Sequence, residues 1–301
     1  MPYFTVIIPT YNRAHLIGKA IESVLAQTFS DWELVIVDDG SADNTREVVE
    51  AYSDNRVRYI YQTNAERSAA RNNGISHSQG KFICFLDSDD RYEIDRLERL
   101  HSSIQEQNEP IALFFTGIKF EDGSEVLSYF SAPKKETESI YDFIIRATFA
   151  TPRSCIHRDI LIKHQFNPKF RIGEDTELWI RIAQGFPVIY LADQATVVIT
   201  EHEDRSINLR KNNSALEQLQ ILRYIFKAPH PGKNISRNVK RDSLSNCYFN
   251  IAKHNMLNNK RAKSLFWILK AMFKSPLHKQ NKHRLLCLSN LVVGRIMEEY
   301  K

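Results

Sequence analysis

Within the first 86 residues, four short apolar runs alternate with three stretches of helical period. Residues 4–9 (FTVIIP), 33–37 (ELVIV), 57–61 and 82–86 read as strands. Between the first two, residues 14–27 carry Leu16, Ile17, Ala20, Ile21, Val24 and Leu25 at helical spacing. Residues 43–52, with Ser41 or Asp43 as cap, and residues 65–76 supply the other helices. Parallel strands need a crossover, the crossover is right-handed, and its helices cover the sheet. The unbroken run Phe82-Ile83-Cys84-Phe85-Leu86 suits a strand buried on both faces. The expectation is an α/β fold with a mostly parallel, doubly wound sheet. Such sheets bind ligands beyond the carboxyl ends of their strands.

The residues at those ends narrow the chemistry. Strand one ends in Pro9-Thr10-Tyr11-Asn12-Arg13, strand two in Asp38-Asp39-Gly40-Ser41 and strand four in Asp87-Ser88-Asp89-Asp90. The first turn has no glycine, so neither GxGxxG nor GxxxxGK[ST] is present, which argues against a nicotinamide or P-loop enzyme. Three carboxylates in four residues repel one another, and a divalent cation offsets that. Oxygen-only ligands suit Mg²⁺ or Mn²⁺, not Zn²⁺. The alternative is a polar loop whose carboxylates cap the helix expected over 94–107. Arg67 and Arg71 lie one turn apart in the third helix. Either guanidinium could hold a diphosphate in a bidentate fork, or both could belong to a solvated helix face.

VIIPTYNRAHLIGKAIESVLAQTFSDWELVIVDDGSADNT, then ARNNGI, then FLDSDD, resembles the family 2 glycosyltransferases of GT-A fold. The motifs come in order and at the usual spacing, and the resemblance covers about residues 5–205. It implies inverting transfer of a sugar from a nucleotide-diphosphate donor, a UDP-sugar by expectation, with Mn²⁺ or Mg²⁺. The acceptor it implies is a hydroxyl of a polysaccharide or lipid-linked glycan. By the same resemblance Pro9, Thr10 and Tyr11 pack along the base, and Asp39 accepts a hydrogen bond from a uracil-type ring N–H. Arg71 matches the ARN element. Asp87-Ser88-Asp89 matches the DxD: Asp89 as direct metal ligand, Asp87 on the ribose or on the metal through water, Asp90 as a further ligand or helix cap. Gly173-Glu174-Asp175 matches the ED motif, whose aspartate is the general base. His202 would be a third metal ligand and Arg205 a phosphate contact. Without the resemblance, Glu174 and Asp175 are favourable charges at a helix N-terminus.

The second half of the domain reads as strands over 111–120, 125–130, 153–157 and 196–200, with a helix over 139–149. Leu178, Trp179, Ile182 and Ala183 form a buried helix face. Residues 211–301 differ in kind from 1–210. They are helical by pattern over 215–226, 234–254, 259–273 and 279–299, with breaks at Pro229, Pro231 and Pro276. Lysine and arginine number 25 against 33 acids through residue 226, but 16 against 3 from 227 onward. Ala262, Leu265, Phe266, Leu269 and Phe273 make a stripe among Lys260, Arg261, Lys263, Lys270 and Lys274. One reading is a helical cap with a solvated basic face. The sharper one is attachment to an anionic membrane surface. No nucleic-acid motif accompanies the charge. Met1-Pro2-Tyr3 runs straight into a strand, and no apolar run approaches the roughly 20 residues of a membrane span. Cys84, Cys155, Cys247 and Cys287 read as reduced thiols. The expectation is a cytoplasmic enzyme, peripheral on the inner membrane face. A nucleotidyltransferase on a related sheet, or a non-catalytic glycan- or nucleotide-binding subunit, is the alternative.

Overall fold

The computed structural model describes residues 1–122, 125–129, 133–200, 214–227, 231–276, 278 and 280–293. The chain forms two compact units: Met1–Ile140 with Ala147–His202, and Tyr141–Arg146 with Glu203–Lys301.

The first unit alternates as the sequence pattern predicts: β1 (Phe4–Thr10), α1 (Ala14–Leu25), β2 (Trp32–Asp38), α2 (Thr45–Glu50), β3 (Val57–Tyr61), α3 (Glu66–His77) and β4 (Phe82–Phe85). Then come β5 (Arg91–Tyr92), α4 (Arg96–Glu106), β6 (Leu113–Asp122), β7 (Glu125–Tyr129) and, after α5 (Ile140–Ala147), whose Tyr141–Arg146 belongs to the second unit, β8 (Ser154–His157), α6 (Arg158–Lys163), α7 (Glu174–Ile182) and β9 (Val188–Thr200). The strands form one sheet in the order β3-β2-β1-β4-β8-β6-β9-β5, with β7 on β6. β1 pairs parallel with β2 and β4, and β2 with β3. β8 runs antiparallel between β4 and β6, and β9 is parallel to β6. The short strands β5, β7 and β8 alone among the described strands oppose the main direction.

The apolar runs explain the core. Every residue of β2 and β4 is buried, as are Ile17, Ala20, Ile21 and Val24 on the inner face of α1. Three local expectations change. α2 is shorter than 43–52, and Asp43 rather than Ser41 accepts the N–H of Thr45. β9 starts eight residues before the predicted 196, because its pairing with β6 slips around Gly117 and Asp193-Gln194 interrupts the apolar run. Asp90 does not cap the next helix: α4 starts at Arg96 with Asp95 before it, while Asp90 is buried and its Oδ1 accepts from Thr200 N at 3.3 Å. The cysteines, distant in sequence, are not all distant in space, for Cys84 and Cys155 face each other across β4 and β8. All four are free and buried.

The second unit contains α8 (Ser214–Phe226), α9 (Arg237–Leu257), α10 (Arg261–Lys274) and α11 (Asn281–Val293). Ser236 caps α9, accepting from Val239 N. Buried hydroxyls tie the helices: Ser245 Oγ donates to Ala271 O at 2.6 Å and Ser264 Oγ to Ala252 O at 2.9 Å. The side chain of Arg284 is enclosed by Ser245, Asn246 and Asn281. α10 buries Ser264, Ile268 and Ala271 and turns Phe266, Leu269 and Phe273 outward. No helix among the described residues is long and apolar enough to cross a membrane.

The edge of the sheet opposite the strands' carboxyl ends closes around Gly80. Its N–H donates to Thr5 Oγ1 at 2.8 Å, and that hydroxyl donates to Glu33 Oε1 at 2.6 Å. A Cβ on residue 80 would lie 2.4 Å from the Thr5 backbone nitrogen, inside a strand that cannot yield. Gly80→Ala should cost about 1–3 kcal/mol, the usual range for overpacking. Urea unfolding of the two proteins measures it, and an unchanged midpoint would contradict this packing.

Candidate active site

The carboxyl ends of β1, β2 and β4 meet the start of α7 around α3. Arg71 on α3 is central, with 2% of its surface exposed. One terminal nitrogen donates to Asp87 Oδ1 at 2.9 Å and the other to Glu174 Oε1 at 2.8 Å. Its guanidinium carbon lies 5.3 Å from the centroid of the Phe166 ring. Burial alone would lower the Arg71 pKa; the Asp87 and Glu174 charges outweigh it and raise it. Both terminal nitrogens of this expected phosphate ligand thus face carboxylates. Arg67, one turn earlier and half-buried, has no ion pair or hydrogen bond among the described residues.

Beyond β4, Asp87, Asp89 and Asp90 gather. One carboxylate oxygen from each lies within 4.8 Å of the others. Asp87 and Asp89 are half-buried and Asp90 is buried. Three oxygen donors converging at a strand end fit a hard divalent cation, and among the described residues no nitrogen or sulfur ligand joins them there to favour zinc. His202 and Arg205 lie outside the described residues.

α7 carries Glu174 and Asp175 in its first turn. Its seat is fixed by Trp179, whose indole N–H donates to Phe149 O at 2.9 Å. Phe115 stacks on Phe149 with centroids 4.0 Å apart, and Trp179 meets Phe115 edge-on. The predicted buried face of Leu178, Trp179 and Ile182 is present; Ala183 is only half-buried. The loop before α7 is clasped by α3. Asn72 Oδ1 accepts from Phe166 N and its Nδ2 donates to Phe166 O, both at 2.9 Å. Glu66 pairs with Arg171. Asp175 is half-buried; its Oδ1 accepts from Thr176 N at 2.6 Å. Burial first, and then the Glu174 charge, push its carboxyl up to about 7, against the opposing pull of Thr176 and Arg71.

At the end of β1, Pro9 is half-buried, Thr10 is buried and Tyr11 is 49% exposed. Thr10 Oγ1 is buried without a hydrogen-bond partner among the described residues. Asp39 N donates to Thr10 O at 2.8 Å, so the ends of β1 and β2 are fastened together. Asp38 closes its turn: Oδ1 accepts from Ser41 N and Oδ2 from the Tyr59 hydroxyl. Gly40, at φ +85°, makes that turn possible, and a Cβ there would meet the Asn64 backbone at 2.9 Å. Asp39 is held differently. Its Oδ1 accepts from Gln62 Nε2 at 2.6 Å and from Ala65 N at 2.8 Å. Gln62, Asn72 and Asn73 were not expected from the sequence to take part. The one available signal was a pair of asparagines inside a helix, where asparagine is a poor former.

A family model described as Glycosyl transferase family 2 matches residues 5–164. The chain belongs to that family. A Campylobacter jejuni GalNAc(5)-diNAcBac-PP-undecaprenol beta-1,3-glucosyltransferase is 28% identical over 308 residues, covering 99% of this chain and 96% of that protein. Among solved structures, S. aureus TarS 1–349 in complex with UDP-GlcNAc is similar at TM-score 0.63 and 19% identity, covering 93% of each chain. The mannosyltransferase PcManGT from Pyrobaculum calidifontis, solved with GDP-Man and Mn²⁺, is similar at TM-score 0.60 and 18% identity, covering 99% of this chain and 82% of that one. The first unit therefore has the GT-A fold, and the protein is a glycosyltransferase.

The Asp175 environment yields a measurable sign. An ordinary aspartate releases its proton at 3.8, whereas Asp175 holds it to about 7. Between these values the folded chain keeps a proton that the unfolded chain has lost, so this group's contribution to stability falls as pH rises. Asp175→Asn lacks that proton. Urea unfolding should show the variant gaining on wild type from about pH 4 to about pH 8. A constant difference across that range would mean that Asp175 titrates normally.

Proposed function

We propose that residues 1–210 form an inverting, divalent-cation-dependent glycosyltransferase domain that uses a UDP-sugar donor. The acceptor is a hydroxyl of a lipid-linked glycan or growing polysaccharide. The observation that carries this reading is the double ion pair of Arg71, which draws the acidic cluster and the Glu174-Asp175 pair into one site. The Campylobacter relative, named for a lipid-linked acceptor, and the UDP-GlcNAc complex of TarS support the choice of acceptor and donor. Mn²⁺ in the PcManGT complex supports the cation.

The roles follow from chemistry. Asp89, with Asp87 and Asp90, would hold Mn²⁺ or Mg²⁺, and His202 is proposed as a further ligand. Such a cation, when bound, neutralises charge on a departing diphosphate. Arg67, free of ion pairs among the described residues, is suited to the diphosphate. Arg71 orients Asp87 and Glu174. Pro9, Thr10 and Tyr11 line the base, and Asp39 receives its ring N–H. Asp175 takes the proton of the acceptor hydroxyl as that oxygen bonds to the anomeric carbon. The bond from that carbon to the diphosphate breaks, and its electrons leave with UDP. A carboxyl with a pKa of about 7 is matched to this work near neutral pH. Attack from the face opposite the leaving group inverts the anomeric centre.

The second unit suits an anionic membrane surface. α10 exposes Phe266 (56%), Leu269 (49%) and Phe273 (88%) one turn apart, among Lys263, Lys270 and Lys274. Each basic residue near such a surface contributes on the order of 1 kcal/mol, weakened by salt.

Two outcomes test these assignments. With Mn²⁺ and a panel of UDP-sugars, mass analysis should find free UDP and a new glycoside, and Asp175→Asn should lower turnover by roughly 10²–10⁴-fold. Pyrophosphate as product, or near wild-type turnover in the variant, would refute the reaction or the base. Separately, the protein should co-sediment with anionic but not neutral vesicles at low salt, and Leu269→Ser/Phe273→Ser should weaken this. Equal pelleting with both vesicle types, or none, would leave the basic helices as a solvated cap.

A further inference from the structure

Asp39 is not free to choose which oxygen it offers. Both donors fall on Oδ1: Gln62 Nε2 at 2.6 Å and the Ala65 N–H at 2.8 Å. Gln62 is itself oriented from behind, because its Oε1 accepts from Asn73 Nδ2 at 2.7 Å. Its backbone N–H is fixed as well, donating to Asp38 O at 2.9 Å. Flipping the Gln62 amide would set its carbonyl against the Asp39 carboxylate and its NH₂ against that of Asn73. Both contacts are repulsive, so the amide has one orientation. Among the described residues no hydrogen bond reaches Asp39 Oδ2. The neighbouring Thr10 Oγ1, in a residue 3% exposed, is likewise without a partner. A carboxylate oxygen and a hydroxyl are therefore left for a ligand where β1 and β2 end.

We propose that Gln62 and Asn73 are positioning residues that set nucleobase selectivity. Gln62, held by Asn73, saturates Oδ1 together with the Ala65 N–H and so leaves Oδ2 as a lone acceptor matched to a pyrimidine that presents a ring N–H. A pyrimidine with a bare ring nitrogen at that position meets acceptor with acceptor and is rejected. This rests on the reading that the donor's base lies against Asp39. A site built around a buried acceptor discriminates strongly, because the wrong ligand leaves that acceptor unmatched.

Calorimetric titration with UDP and with CDP, both with Mn²⁺, tests it on wild type, Gln62→Met and Asn73→Ala. Wild type should prefer UDP by about tenfold or more. Gln62→Met keeps the side chain's length but has no amide. It should lose most of the preference, through weaker UDP binding with CDP affinity within about twofold. Asn73→Ala should move the same way by less. Equal losses for UDP and CDP would indicate a merely structural role and overturn the inference, as would a preference retained in Gln62→Met. Wild type without any preference would overturn the reading of Asp39 itself, and the relay with it.

Discussion

A guanidinium buried to 2% exposure is tolerable only because two carboxylates meet it. One stands at the end of β4, and the other begins α7, 103 residues from Arg71 in the chain. Removing Arg71 would leave the buried Glu174 carboxylate uncompensated, a loss of about 3–5 kcal/mol in comparable sites. The pair therefore fixes more than its own geometry. It joins the acidic cluster, which the sequence makes self-repulsive, to the helix that carries Asp175. α3 supplies the remaining fastenings, with Asn72 on the Phe166 backbone and Asn73 reaching Asp39 through Gln62.

The two acids of the Glu174-Asp175 pair diverge for physical reasons. Glu174 is buried and neutralised by Arg71. Among the described residues Asp175 has no such partner in contact; it is desolvated beside a negative neighbour, and Thr176 and the more distant field of Arg71 oppose that. Adjacent carboxylates with different environments can take different tasks, one structural and one that exchanges a proton near neutral pH.

Much of this was legible in the sequence because period and order carry it. Alternating strands and helices gave the parallel half of the sheet, and the DSDD and GED segments marked where acids would gather. What was hidden depends on contacts between distant segments. Arg71 was expected as a phosphate contact, and its reach to Glu174 is invisible until α3 and α7 are packed together. Gln62 sits after β3 in a stretch with no motif at all. The early start of β9 was masked by Asp193 and Gln194, which break the apolar run while the strand pairing continues past a slip in register. Of the two readings of Asp90, further ligand or helix cap, the cap gives way because its Oδ1 accepts from Thr200 N on β9.

The second unit answers to a different constraint, for α10 keeps its apolar stripe outward while small residues and hydroxyls pack its inner face. The central claim is catalytic and rests on Asp175 deprotonating an acceptor while the donor's diphosphate departs from the far face. Proton NMR of the glycoside formed from an α-linked UDP-sugar tests it most directly. The coupling constant of the new anomeric proton should report a β-linkage. A product that keeps the donor's α-configuration would contradict single displacement, and with it the assignment of Asp175 as the base.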